Sequence, residues 1–74
     1  KDNELIRETL MTALSELPAE QREVFIRHEI EQQSFKEIGE DLNVSINTLL
    51  SRKHYAIKYL RKRLSGLYTE LFGE

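Results

Sequence analysis

Apolar residues recur along the chain at spacings of three and four, the period of an amphipathic helix. The first stripe predicts a helix from about Asn3 to Ser15, with Asn3 as its cap. Leu17-Pro18 ends it, because proline is tolerated at a helix start but not inside one, and a second helix follows to about Glu31. No run alternates as a strand would, so the pattern predicts an all-α fold, a small bundle of four to five helices. The apolar positions of the first stripe are Leu5, Ile6, Leu10, Ala13 and Leu14.

A capping box marks the start of a third helix. The Ser34 hydroxyl can accept a hydrogen bond from the Glu37 amide, and the Glu37 carboxylate can reach back to the Ser34 amide. The helix is predicted over residues 35–42, and Asn43 suits a left-handed helix end.

A fourth helix is predicted from Ile46 to about Ser65. Ser45 caps its start, and Gly66 is expected to end it. Its inner apolar positions are Leu49, Ala56, Leu60 and Leu64. A last apolar turn completes the core against the first helix or stays exposed as a docking patch, and we favour the core. The residues of that turn are Leu67, Tyr68, Leu71 and Phe72.

The third and fourth helices together have the pattern of a helix-turn-helix, over about residues 34–64. Gly39 lies where the two helices would cross closely, and Val44 is an apolar residue in the turn. The fourth helix begins with short polar residues and becomes basic later. That order suits a helix whose first turns approach base edges while later cations meet phosphates.

Helical spacing predicts which residues of the fourth helix face outward. Asn47 can donate and accept at an adenine edge, Ser51 can do either with any base, and Leu50 could touch only a thymine methyl. The outward candidates for base contacts are Asn47, Leu50, Ser51, His54 and Tyr55. The candidates for phosphate contacts on this helix are Arg52, Lys53, Lys58, Arg61, Lys62 and Arg63, which cannot all point one way.

Charge is divided unequally between the two parts of this chain of 74 residues. Residues 1–41 hold eleven acids and five bases, a balance of −6, whereas residues 42–74 hold two acids and six bases, a balance of +4. No acidic residue lies between Leu42 and Thr69. Segregated charge of this kind favours one face for an anionic partner.

Several kinds of chemistry are excluded or unsupported. The chain has no cysteine, which removes disulfides, thiolate catalysis and cysteine-based zinc sites. His28 and His54 are too few for a metal site, and His28 is expected to be a partly buried helix residue. Ser51 has no base within sequence reach, and no glycine-rich phosphate loop occurs. We therefore expect a binding module with no enzyme activity, no cofactor, no small-molecule substrate and no membrane partner.

Short motifs at matching intervals resemble region 4 of bacterial RNA polymerase sigma factors of the sigma-70 family, most closely the extracytoplasmic-function group. The resemblance covers about residues 14–64. The motifs are Leu17-Pro18, Arg22-Glu23-Val24-Phe25, Ser34-Phe35-Lys36-Glu37-Ile38-Gly39, Val44-Ser45, Thr48-Leu49, Ser51-Arg52, Ala56, Leu60-Arg61 and Leu64.

This resemblance implies a function and a set of partners. Such domains bind the double-stranded −35 element of a promoter, dock on the flap of the RNA polymerase β subunit, and in many cases are silenced by an anti-sigma factor. The setting would be the bacterial cytoplasm. Residues 1–74 would form a single domain from a longer protein, with a region 2 domain before Lys1.

The resemblance also distributes roles among residues. Base contacts would fall on the outward candidates given above. Phosphate contacts would include Arg22 and Lys36, beside Lys58, Arg61 and Lys62 of the fourth helix. Glu37 and Arg52 would form a structural pair between the third and fourth helices. An apolar groove formed with the second and third helices would receive the polymerase flap, and its candidate residues are Val24, Phe25, Ile38 and Leu42.

The chain departs from the family pattern at several positions. Gln32-Gln33 replace a usual Gly-Leu, which predicts a differently shaped loop. Asn47 replaces a common glycine, Leu50 a usual basic residue and Tyr55 a usual arginine. Lys53 stands where an apolar residue is normal.

Two other functions remain open from sequence alone. The first is an ordinary helix-turn-helix regulator, such as a two-component or LuxR-like output domain, which would dimerise on palindromic sites. The second is a domain that acts mainly through protein partners, such as an anti-sigma factor or polymerase. The apolar Leu50 and the aromatic Tyr55 on the outward face make the second alternative worth testing.

Overall fold

The chain forms the α-helices α1 (Asp2–Glu16), α2 (Ala19–Phe25), α3 (Phe35–Leu42) and α4 (Ile46–Phe72), with a π-helical segment, Ile26–Ile30, after α2. The computed structural model describes the backbone of residues 2–72 and the side chains of residues 4–66. No strand occurs within that part of the chain, which confirms the all-α prediction.

The second predicted helix divides into two kinds of helix. It begins at Ala19, one residue after the proline, and changes to π geometry at Ile26. The Glu31 N–H donates to the Ile26 carbonyl oxygen at 2.9 Å, five residues back, and Gln32 then turns the chain with φ of 60°. A non-glycine residue in this left-handed region carries a steric cost of about 1–2 kcal/mol. Gln32, at a position where the resemblance predicts a glycine, therefore raises the free energy of this loop.

Helix α4 is longer than the sequence predicted. It passes through Gly66 and ends at Phe72, so the predicted end at Gly66 is wrong. An exposed glycine inside a helix costs only about 1 kcal/mol, which does not by itself stop a long helix. The predicted capping role of Asn3 and the predicted core role of the last apolar turn concern side chains outside the described residues, namely Asn3, Leu67, Tyr68, Leu71 and Phe72.

The core consists of two buried clusters, both of which include α4. The first packs the end of α1 against the middle of α4, and its buried members are Ala13, Leu14, Leu17, Ala56 and Leu60. The second lies beneath the junction of α3 and α4, and its buried members are Val24, Ile38 and Leu49. Full burial of a Val, Ile or Leu side chain stabilises a fold by about 1.5–3 kcal/mol. The second cluster therefore fixes α4 against α2 and α3.

A charged side chain also ties the π-helical segment to α3. Arg27 donates to Asp41 at 2.7 Å, to Glu23 at 3.2 Å and to the Gln33 side chain at 2.7 Å. Its side chain is largely buried, whereas both carboxylates are partly exposed. Arg27 thus holds the loop before α3 between two helices, a role that the sequence did not reveal.

Candidate nucleic-acid interface

Side-chain caps determine where α3 and α4 begin. The Glu37 N–H donates to Ser34 Oγ and the Ser34 N–H donates to Glu37 Oε1, each at 3.0 Å, which confirms the capping box. The Thr48 N–H donates to Ser45 Oγ at 3.1 Å, which confirms the predicted cap of α4. Asn43 has φ of 61°, so the predicted left-handed end of α3 is also confirmed. These local bonds set the start of the exposed helix.

Close backbone contact fixes the angle between α3 and α4. The Val44 N–H donates to the Gly39 carbonyl oxygen at 3.1 Å. A Cβ atom added at Gly39 would lie 2.9 Å from the Val44 carbonyl oxygen and 3.5 Å from Leu49 Cδ1. The turn therefore packs against α3 at a distance that only glycine allows.

The predicted base-contact residues lie together at the start of α4. A helix turns by about 100° per residue, so Asn47, Ser51 and His54 share one stripe, with Leu50 and Tyr55 at its edges. All five side chains are exposed. His54 and Tyr55 also contact each other edge to face, with ring centroids 5.6 Å apart. We call this set, residues 47, 50, 51, 54 and 55, the reading face.

Basic residues continue the same stripe towards the C-terminal end of α4. Lys58, Arg61 and Lys62 follow the reading face at helical spacing, and all three are exposed. None of their side chains forms a hydrogen bond or an ion pair with any residue that the structure describes. Their charges are therefore available to an external anion.

The lysine and arginine side chains on the inner side of α4 form ion pairs with acidic residues of the domain. Arg63 donates to Glu16 Oε1 at 2.9 Å, and Tyr59 donates to the same oxygen. These hydrogen bonds hold the pKa of Glu16 below its usual value, and the bond to Glu16 raises the pKa of Tyr59. Arg63 is thus a link between α1 and α4, which removes it from the phosphate candidates.

Lys53 is the second engaged base and lies in a cluster that the sequence did not reveal. Its side chain is only 14% exposed, and its ammonium group donates to Glu29 and, at 2.7 Å, to His28 Nδ1. The His28 ring stacks on Phe35 with centroids 3.9 Å apart, and Lys53 Nζ lies 5.6 Å from the Phe35 centroid. The bond from Lys53 lowers the pKa of Glu29. One indication of this cluster was present in the sequence, namely that Lys53 stands at a position where the resemblance predicts an apolar residue.

The structure gives one of the two predicted phosphate-contact residues outside α4 an internal role. Arg22 Nη1 donates to the Leu17 carbonyl oxygen at 2.9 Å and lies 3.4 Å from the carbonyl oxygens of Leu14 and Ser15. Arg22 therefore caps the C-terminal end of α1, a role that the predicted phosphate contact did not include. Lys36, by contrast, is exposed near the start of α3.

The predicted pair between Glu37 and Arg52 does not form among the residues described. The Glu37 carboxylate accepts from the Ser34 N–H, because the capping box holds it at the start of α3. Arg52 is half-buried and belongs to no ion pair of the described residues.

The predicted polymerase-docking residues divide by burial. Val24 and Ile38 are fully buried in the second core cluster, so they offer no surface to a partner. Leu42 is half-buried against that cluster, whereas Phe25 lines an open groove of about 580 Å³ between α1, α2 and α4. The groove is lined by Leu10, Phe25, Ile57, Leu60, Arg61, Leu64 and Ser65.

Nothing in the described part of the chain resembles a metal centre. His28 is half-buried in its helix, as predicted, and the side chains described, those of residues 4–66, include no group of three or more histidines and carboxylates placed to hold an ion. None of the helices in that range is long and apolar enough to cross a membrane.

Comparison with known families agrees with this geometry. The family described as sigma-70, region 4 matches residues 7–60, which include the reading face and both core clusters. No individual curated protein matches the chain. The matched segment is well over half of the chain, and it carries the helix-turn-helix described above. The chain therefore belongs to the sigma-70 region 4 family, whose members are DNA-binding helix-turn-helix domains of sigma factors that act in transcription.

Proposed function

We propose that this domain recognises the −35 element of a promoter within an extracytoplasmic-function sigma factor, and that it docks on the flap of the RNA polymerase β subunit. One observation carries the DNA-binding part of the proposal. The exposed stripe of α4 starts with polar side chains and continues with lysine and arginine side chains that have no ion-pair partner among the described residues. It holds no acidic residue over its described length. A helix of this kind enters the major groove by its first turns, while its later cations lie near phosphates.

The reading face supplies donors and acceptors for base edges. The Asn47 amide can donate and accept together at adenine, and the Ser51 hydroxyl can do either. His54 lies one turn further along the same stripe. Each good bidentate contact discriminates against a wrong base by about 1–3 kcal/mol.

Phosphate contacts are assigned to the lysine and arginine side chains that have no ion-pair partner among the described residues. Lys58, Arg61 and Lys62 lie beyond the reading face, and Lys36 lies near the start of α3. Each neutralised phosphate releases counterions, so binding weakens as the salt concentration rises. Each such contact contributes about −0.9 to the slope of log K against log salt concentration.

The polymerase flap is assigned to the apolar groove between α1, α2 and α4. This assignment keeps Phe25 from the predicted docking set and replaces the buried Val24 and Ile38 by groove residues such as Ile57 and Leu64. Apolar surface rimmed by polar residues is typical of protein contacts. Arg61 lines the groove and also belongs to the basic stripe, so the two surfaces adjoin at that side chain.

The test of the DNA surface compares two arginines of the same helix. DNA affinity is measured by fluorescence anisotropy over a range of salt concentrations, on a duplex obtained by selection from random sequence. Arg61→Ala should weaken binding to all sequences and flatten the salt slope by about 1. Arg63→Ala is the matched control, because Glu16 already holds Arg63. Equal slopes for both variants would refute the phosphate assignment.

Sequence preference is tested on the reading face itself. Asn47→Ala and Ser51→Ala should each relax the preference at one base pair, with little change in the salt slope. A preference that both variants leave intact would show that another surface reads the bases. Two copies on a palindromic selected site would instead favour an ordinary regulator.

The flap assignment has its own matched pair. In an NMR titration of the labelled domain with the flap-tip segment, saturable shifts should centre on Leu10, Phe25, Ile57 and Leu64. Ile57→Glu should abolish them, whereas Ile30→Glu, on an exposed side chain outside the groove, should not. An anti-sigma factor that covers either surface would compete in the corresponding assay.

A further inference from the structure

Two apolar side chains lie exposed among the polar residues at the start of α4. Ile46 and Leu50 are each 48% exposed, and neither belongs to a buried core cluster. They stand four residues apart, so they are neighbours on the helix surface across its first two turns. Neither lines the apolar groove between α1, α2 and α4. Their exposure is therefore explained neither by folding nor by the proposed flap site.

The reading face shows what could cover them. Leu50 is flanked by Asn47 on the preceding turn and by Ser51 beside it, so a duplex placed against those two side chains also reaches Leu50. In the major groove, the apolar group on a base edge is the C5-methyl group of thymine. The side chains of leucine and isoleucine can neither donate nor accept a hydrogen bond, so the thymine methyl group is the part of a base edge with which they can make a favourable apolar contact.

The spacing of the two side chains fits neighbouring base pairs. Residues four apart on a helix have Cβ atoms about 5–6 Å apart. Successive base pairs are stacked about 3.4 Å apart along the duplex axis. Flexible branched side chains can therefore reach methyl groups on adjacent pairs.

We propose that Leu50, together with Ile46, is a specificity determinant that selects for thymine by contact with its methyl group at one or two adjacent positions of the DNA site. This inference rests on the proposed function, because it assumes that α4 lies in the major groove. It goes beyond that function by assigning one base at the position that Leu50 faces.

Thymine and uracil differ only by the methyl group, which gives a direct test. The preferred duplex is first selected from random sequence with the 74-residue chain at low salt. Each thymine is then replaced by uracil, one at a time, and binding is measured by fluorescence anisotropy. Uracil should weaken binding about fourfold at one or two adjacent positions, as expected for one buried methyl group.

Variants assign the effect to residues. Leu50→Ala should bind thymine and uracil equally at one of these positions, and Ile46→Ala should do so at the neighbouring one. Leu5→Ala is the matched control, because Leu5 is a 40% exposed leucine on α1, and it should keep the full preference for thymine. Circular dichroism confirms that each variant is folded.

The possible failures can be told apart. Equal binding of thymine and uracil duplexes by the unaltered chain would overturn this inference and leave the DNA-binding function standing. A preference for thymine that persists in both Leu50→Ala and Ile46→Ala would also overturn it. No binding to any duplex by a folded sample would overturn the proposed function itself.

Discussion

The close approach at Gly39 predicts that one methyl group destabilises the helix-turn-helix. In Gly39→Ala, the new Cβ would lie 2.9 Å from the Val44 carbonyl oxygen. That oxygen belongs to backbone, which cannot rotate away as a side chain can. The turn must therefore shift, together with the hydrogen bond from the Val44 N–H to Gly39.

Two opposing effects determine the size of the loss. Extra atoms forced into a packed site typically cost about 1–3 kcal/mol. Alanine is favoured over glycine inside a helix by about 0.8–1 kcal/mol, which offsets part of that cost. Because the obstructing atom is backbone, we expect the upper part of the first range and a net loss of about 1–2 kcal/mol.

The same substitution at Gly66 provides the control. A Cβ at Gly66 would have nothing within 4 Å, and the residue lies inside α4. Only the helix propensity acts there, so Gly66→Ala should stabilise the domain by up to about 1 kcal/mol. Identical changes should therefore shift stability in opposite directions.

Urea unfolding followed by circular dichroism measures both variants. At a slope of about 1 kcal/mol per molar urea, suited to a small domain, Gly39→Ala should lower the midpoint by about 1–2 M. Gly39→Ala should also weaken DNA binding, because the turn sets the direction of α4. A Gly39→Ala midpoint equal to or above that of the unaltered chain would refute the close-contact argument.

Three further predictions concern the charged side chains. Lys53→Met should leave stability within about 1 kcal/mol of the unaltered chain, because Glu29 is 47% exposed and stays hydrated when its partner is removed, so the ion pair contributes little. A urea midpoint corresponding to a loss above about 2 kcal/mol would contradict this. Arg22→Ala should lower the urea midpoint by the equivalent of about 1–2 kcal/mol through loss of a charged hydrogen bond; weaker DNA binding at unchanged stability would instead restore Arg22 to the phosphate contacts. Glu16 and Glu29 have lowered pKa values in the folded state, so their contribution is present above the ordinary value of 4.5 and is lost as the pH falls through the folded pKa. Glu16→Gln and Glu29→Gln should therefore be less stable at pH 7 and lose less stability between pH 5 and 3, as urea midpoints across that range will show.

Features encoded by neighbouring residues were predictable from the sequence. The box formed by Ser34 and Glu37, the cap at Ser45 and the turn at Asn43 each depend on side chains within three residues of the backbone groups that they satisfy. Gly39 was also placed correctly, because a glycine before a short turn indicates close backbone approach. These local signals were enough to predict the helix-turn-helix and the position of the reading face.

Features that depend on distant partners were not predictable in the same way. A lysine or arginine of α4 is available to an external anion only where the fold places no acidic side chain beside it. Lys53, for example, contacts Glu29, which lies 24 positions away in the sequence. The resemblance to sigma region 4 assigned Val24 and Ile38 to a docking groove, yet apolar residues at helical spacing also describe a core, and the fold buries both side chains. The role of Arg22 was hidden because the carbonyl groups it caps become available only when α1 ends beside it.

The division of charge explains how a chain with a net charge of −2 can present a surface suited to DNA. Acids of the first half neutralise the bases that point inward from α4: Glu29 holds Lys53, and Glu16 holds Arg63. The bases of the outward stripe have no such partner among the described residues. Charges on an exposed surface act mainly within a Debye length, about 8–10 Å at physiological salt. A phosphate beside that stripe therefore interacts with the nearby lysine and arginine side chains and not with the net charge of the whole chain. The acids of the first half thus anchor the helix without cancelling the field on its outer side, and net charge is a poor guide to partners for a domain this polarised.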